Sequence, residues 1–228
     1  MPSGAELEAL WLSLRIASAA VALSLPLAVA LAWVLAHREF PGKLFLDGLV
    51  HLPLILPPVV IGYLLLITFG ARGPLGALLA DWFDWRLVFH WSGAALAAAV
   101  VSFPFQVRAI RLAMEAIDPG LHEVARTLGA NGRDRFLTIT LPLAAPGILA
   151  GAITAFAASL GEFGAIITFV SNVPGETRTL PLAIYSALQS PGGEAMAARL
   201  AGWSITLALA GLWGSELAAQ RVRRMTAP

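Results

Sequence analysis

Cysteine is absent from the 228 residues. That excludes disulfides, thiolate metal sites and cysteine nucleophiles together. Charge is scarce as well: Asp, Glu, Lys and Arg make up 13% of the chain, against roughly 25% in a soluble domain. No GxxxxGK[ST] run occurs, so the chain has no nucleotide phosphate loop of its own. His37, His51, His90 and His122 are scattered without metal-ligand spacing and are assigned no site. The opening MPSGAELEAL lacks a basic leader region and runs into an apolar stretch too long for a cleaved signal, so no processed leader is expected.

What is present is oil. Hydrophobic residues make up 58% of the chain, and its mean hydropathy is +0.77. This composition predicts an all-α integral membrane protein forming a single transmembrane domain over residues 1–228. A spanning helix needs about 20 apolar residues for a core of roughly 30 Å. Five runs qualify: Ala9–Ala36, Leu49–Phe69, Ser92–Val107, Leu143–Val170 and Leu200–Ala218. Five spans are therefore expected, with six as the alternative. Arg15 lies near enough to the start of the first run to snorkel. Pro53, Pro57 and Pro58 force a kink or an interrupted start in the second, and Pro104 kinks the third. Trp82, Trp85 and Trp91 suit a headgroup belt. Between the last two runs, about 171–198, the segment TLPLAIYSAL is too short to span and reads as an interfacial or re-entrant helix in an outer loop.

Arginine and lysine set the orientation. Arg38, Lys43, Arg108, Arg111, Arg126, Arg133, Arg135, Arg221, Arg223 and Arg224 fall on one side, leaving Arg72, Arg86, Arg178 and Arg199 on the other. The positive-inside rule makes the richer side cytoplasmic, with the N-terminus outside and the C-terminus inside. The polar loop at about 110–142 then faces the cytoplasm.

Within that loop Asp118 is a suitable N-cap, Pro119 fits the first helical position, and Gly129 supplies the left-handed stop. Leu121, Val124, Ala125 and Leu128 fall at i, i+3, i+4 and i+7, one apolar stripe on a helix of about three turns. A stripe of this kind wants a groove in a partner; the plainer reading is a helix lying on anionic lipid. DRFLTIT reads as a second helical piece that ends where Pro142 restricts Leu141.

Glu123, Ala125, Gly129, Ile139, Leu141 and Pro142 stand at the spacing of E-A-A, three residues, G, nine residues, I-x-L-P. This resembles the cytoplasmic signature of ABC importer membrane subunits, with Val124 replacing the second alanine. The resemblance implies the type I permease fold shared by molybdate, methionine and maltose importers, in which the motif forms a coupling helix seated in a cleft of an ATP-binding subunit. LGEFGAIITFVSNVPGETRTLPLAIYSALQSPGGE, together with LPLILPPVVIGYLLL and FPFQVRAIRLAMEAID, is similar to the permeases of molybdate importers, whose near relatives carry sulfate, thiosulfate or tungstate. It further implies a homodimer in the bacterial inner membrane, two ATP-binding cassette subunits holding ATP and magnesium, and an extracytoplasmic molybdate-binding protein. No cofactor in this chain and no nucleic-acid partner are expected.

The ion's path is less marked. An oxyanion route offers hydroxyls, backbone amides and helix N-termini, which makes Ser102, Ser159 and Thr168 candidates. Glu162, a carboxylate inside the fourth run, is expected to act as a structural or gating hydrogen-bonding group, since its charge repels a dianion. Glu176 and Arg178 are candidates for contact with the binding protein, or belong to a turn set by Pro174 and Gly175. Gly147 and Gly151 form a small-xxx-small face for helix packing. A membrane-embedded enzyme needs clustered intramembrane acids or nucleophiles, and an ion-driven secondary transporter needs repeated halves with paired charges. The sequence shows neither.

Overall fold

The structure, a computed structural model, describes residues 4–226, with side chains described through 211 and at 213. The described residues are helical, joined by short turns. Helices α1 (Gly4–His37), α2 (Lys43–Ile55), α3 (Pro58–Phe69), α4 (Pro74–Phe83) and α5 (Trp91–Glu115) form the first half. Then come α6 (Pro119–Thr127), α7 (Gly132–Arg135), a π-helical segment (Phe136–Thr140) and α8 (Leu141–Leu160). Short α9 (Gly164–Val170) and α10 (Leu180–Leu188) lead to α11 (Glu194–Thr226).

Among the described residues three helices are long and apolar enough to cross a membrane: α1, α5 and the continuous stretch Gly132–Leu160. The pair α2 and α3, bent by 114°, makes a fourth if it counts as one span. That count is of the described residues alone, and the fifth expected run falls on α11, a helix of 33 residues. A hydropathy run counts apolar residues and is blind to helix breaks. Leu49–Phe69 is broken after Ile55, where Pro57 and Pro58 remove backbone donors and Pro58 opens a new helix. The run Leu143–Val170 likewise stops at Leu160 and restarts as α9. The last expected run, Leu200–Ala218, falls on α11, and the side chains of its distal part, with Arg221, Arg223 and Arg224, lie outside the described residues.

Two boundaries move the other way. The polar loop does not begin at 110, because α5 continues to Glu115 with Ile110 and Met114 buried and Arg111 held to Glu115 across one turn at 2.7 Å. Pro142 does not end the second helical piece either. The preceding turn widens to π geometry, Leu141 donating its N–H to Phe136 five residues back, which gives the proline ring room and carries the helix into α8.

The core is α1, α5 and α8. Ala28, Ala32 and Leu35 of α1 pack with Val107, Ile110 and Met114 of α5 and Ala144 of α8. Further along, Leu12, Ile16 and Ala20 meet Ala94, Ala95, Ala97 and Ala98. Small residues let the helices approach closely. On α8 a Cβ at Gly147 collides with Ala113, and one at Gly151 lies 3.2 Å from Gln106 Cα. At the far end the guanidinium of Arg15 sits 3.8 Å over the Trp91 ring, and Arg199 Nη2 reaches the buried Glu6 carboxylate at 2.8 Å, tying α11 to α1.

The two broken helices pack on each other. Gly62 of α3 abuts α9, where an added Cβ would lie 2.6 Å from the Ala165 carbonyl oxygen. Glu162 accepts the Ala165 N–H at 2.8 Å, capping the first turn of α9.

Two outcomes follow for the purified protein in detergent. Gly147→Leu overpacks the α5–α8 contact and costs about 1–3 kcal/mol, lowering the thermal midpoint, whereas Gly202→Leu, with nothing within 4 Å of its Cβ, leaves it unchanged. Glu162→Ala removes the α9 cap at a cost of about 1 kcal/mol, while Glu162→Gln keeps an acceptor oxygen and retains the parent midpoint.

Candidate functional site: the α5–α8 connector

Sixteen residues, 116–131, connect α5 to the helix that becomes α8, and each turn in them has a local cause. Asp118 Oδ1 accepts the Gly120 N–H at 2.8 Å, and Pro119 opens α6. At the other end the Leu128 N–H returns to the Val124 carbonyl at 3.1 Å. Gly129 follows at φ 88° with open space where a Cβ would be, so the backbone angle alone calls for glycine. Asn131 then starts α7 with a capping box: its Oδ1 accepts from Arg133 and Asp134 at 2.9 and 3.0 Å, and Asp134 Oδ2 accepts from Asn131 N at 3.3 Å. That box was legible in N-G-R-D and was missed.

The apolar stripe of α6 faces away from its own chain. Leu121 is 46% exposed, Val124 60% and Leu128 82%, while Ala125 is partly buried. Glu123 is also exposed. Ile139 lies in the π turn, and Leu141 and Pro142 open α8. The signature is therefore split between a surface helix and the root of a membrane helix.

Aromatic side chains attach α6 to the end of α1. The His122 ring meets His37 edge-on at 6.0 Å, His37 stacks on Trp33 at 5.8 Å, and Trp33 meets Phe136 edge-on at 6.1 Å. Burial, with His37 and Arg135 nearby, holds the His122 pKa below its ordinary value. It is neutral near pH 7 and packs as an aromatic ring. Spacing along the chain gave no reason to bring His37 and His122 together; their contact joins α6 to α1. A second anchor lies beside it: Arg111 of α5 bonds Asp47 of α2 at 3.1 Å, and Asp47 also meets His51 at 3.1 Å.

The candidate path residues are dispersed. Ser102 is buried in α5 and leans on the Ala99 carbonyl at 3.4 Å; Thr168 donates to Gly164 at 2.7 Å. Ser159 Oγ is buried in α8 without a hydrogen-bond partner. Neither of the two principal cavities is lined by Ser102, Ser159, Glu162 or Thr168. Glu162 is spent on capping α9. Reasoning from sequence overlooked Gln106, which is fully buried in α5, donates to Ser24 of α1 at 2.9 Å, and keeps Oε1 unpartnered. An amide inside FPFQVRAI was the available signal. In the loop between α9 and α10 the Val173 carbonyl accepts N–H groups from Glu176, Thr177 and Arg178. Arg178 Nε bonds Asn172 at 3.0 Å and Gly175 takes φ 81°. The geometry is that of a self-bonded turn, with Glu176 partly exposed.

Comparison with known proteins now bears on this arrangement. Residues 24–224 match the family model described as the inner membrane component of binding-protein-dependent transport systems. The chain is 58% identical over 92% of its length, and 92% of the relative's, to the molybdenum transport system permease protein ModB of Escherichia coli (strain K12). It is 52% identical over 96% of both chains to the protein of the same name from Haemophilus influenzae. A solved bacterial ABC transporter involved in the import of the acidic polysaccharide alginate shares the fold, with a TM-score of 0.75 at 21% identity, covering 99% of this chain and 82% of that one. The chain belongs to the family of binding-protein-dependent transport system inner membrane components, the permease subunits of ABC importers.

Proposed function

We propose that this chain carries molybdate inward across a bacterial inner membrane as the permease subunit of an ATP-driven importer. It works as a homodimer above two ATP-binding cassette subunits, which supply ATP and magnesium, and beneath an extracytoplasmic molybdate-binding protein. The N-terminus lies outside and the C-terminus in the cytoplasm. The observation that carries the coupling role is the exposed stripe of Leu121, Val124 and Leu128 on a helix strung between two packed membrane helices. Choice of molybdate over sulfate, thiosulfate or tungstate is supported by two molybdenum permeases that match over 92% and 96% of the chain.

The mechanism is mechanical. Closure of the ATP-binding subunits shifts the clefts that hold α6, and α6 passes the shift to α5 and α8 at its two ends. Capture and selectivity reside in the binding protein, and the permease offers a transient, weakly binding route, because a tight site would trap the ion. On that route Ser159 is the hydroxyl we favour, having no intrachain partner, ahead of Ser102, which leans on the Ala99 carbonyl of its own helix. Thr168 already bonds its own helix, and Glu162 keeps its structural role. Glu176 and Arg178 form part of the outer surface that meets the binding protein.

The test is ATP hydrolysis in proteoliposomes holding this chain, its ATP-binding subunit and loaded binding protein, with molybdate, tungstate or sulfate as the ligand. Molybdate is expected to stimulate most. Leu128→Glu, at a position its own fold leaves 82% exposed, should reduce stimulation at least tenfold, as should Glu123→Ala and Gly129→Asp. Stimulation that survives all three, in correctly assembled complexes, contradicts the coupling role.

A further inference from the structure

A cavity of about 1020 Å³ opens between the end of α1, the coupling helix α6 and the α7–π segment. Transport as described above makes no use of it. Its wall carries four guanidinium groups, those of Arg38, Arg126, Arg133 and Arg135, against one carboxylate, Glu123. Among the described residues none of these four arginines is in an ion pair. Arg111 and Arg199, by contrast, are held by carboxylates, Arg111 by Glu115 and Asp47 and Arg199 by Glu6. Two cavity-lining residues also hold buried nitrogens with no hydrogen-bond partner, Arg135 Nε and His122 Nε2. The wall therefore has an excess of positive charge.

We infer that this cavity binds a phosphate-like oxyanion. Converging guanidinium forks match the oxygens of such a group bidentately, and a concave wall of one sign concentrates anions. Two sources present this chemistry, free inorganic anion in the cytoplasm and the headgroup phosphate of an anionic lipid at the bilayer edge. Either occupant bridges α1 to the coupling joint, so occupancy adds a restraint on α6 that is separate from the stripe on its outer face.

Trp33 lines the cavity and reports on it. The assembled transporter is placed in phosphatidylcholine nanodiscs and titrated with inorganic phosphate at constant ionic strength. The signal is the fluorescence difference between the parent protein and its Trp33→Phe variant. Phosphate is not the proposed cargo, so the outcome is independent of whether molybdate is transported. A saturable change is expected, at least tenfold weaker in Arg133→Ala/Arg135→Ala and unchanged in Lys43→Ala, whose lysine is paired with Glu39 outside the cavity. Arg133→Lys/Arg135→Lys keeps the charge without the fork and should fall between them, which guards against a folding defect in the alanine pair. Should the phosphatidylcholine discs stay silent while native mass spectrometry finds phosphatidylglycerol retained by the parent and lost from the alanine pair, the occupant is a lipid headgroup. No response to phosphate and no retained phosphatidylglycerol, or a response indifferent to both double variants, overturns the inference.

Discussion

Close contact between α5 and α8 is the constraint on which the rest of the molecule depends. Gly147 brings α8 so near to Ala113 that a single added carbon does not fit, and at Gly151 an added carbon would press on Gln106 and Ala109 at 3.2–3.3 Å. Packed helices of this kind are bistable and do not deform continuously, so they move as a unit. The connector leaves that unit at Glu115 and rejoins it at Gly132, which fixes where α6 is presented. Capping by Asp118 and Asn131 makes both ends of the connector rigid. A displacement imposed on α6 is then delivered to two membrane helices together, with the His37–His122 contact extending it to α1.

A second constraint is the interruption of helices inside the apolar part of the chain. Breaking a helix frees N–H and C=O groups that hydrocarbon cannot satisfy, and irregular backbone survives at that depth only inside protein or beside water. Here the break between α8 and α9 is met by the Glu162 carboxylate, and α9 is covered by α3 through Gly62. The intramembrane carboxylate expected from the sequence to act as a structural or gating hydrogen-bonding group here caps a helix within its own chain. The broken elements α3 and α9 lie side by side, with Thr168 at their contact.

Much of the connector could be read from residues alone. Asp118, Pro119 and Gly129 each carry a local backbone preference that needs no tertiary information, and the α6 stripe follows from helical spacing. Where the helices break and run on could not be read in the same way. Hydropathy does not register that Pro58 starts a helix instead of bending one, that a π turn lets the helix run through Pro142, or that Gly161 ends α8. Long-range meetings were illegible for a different reason: Gln106 and Ser24 are 82 positions apart, and His37 and His122 meet only because α1 and α6 end at the same face. Cavity-lining arginines were visible in the sequence as a topology signal, while their convergence on one space was not.

Absence of cysteine makes the central claim directly measurable, since one introduced thiol is the only one in the chain. Leu128→Cys places it on the most exposed residue of the stripe. Its reaction rate with a membrane-impermeant maleimide, supplied from the cytoplasmic side, is measured before and after the ATP-binding subunit is added. A stripe seated in a cleft predicts fast labelling of the isolated permease and strong protection in the complex. Labelling that stays equally fast after assembly contradicts the account.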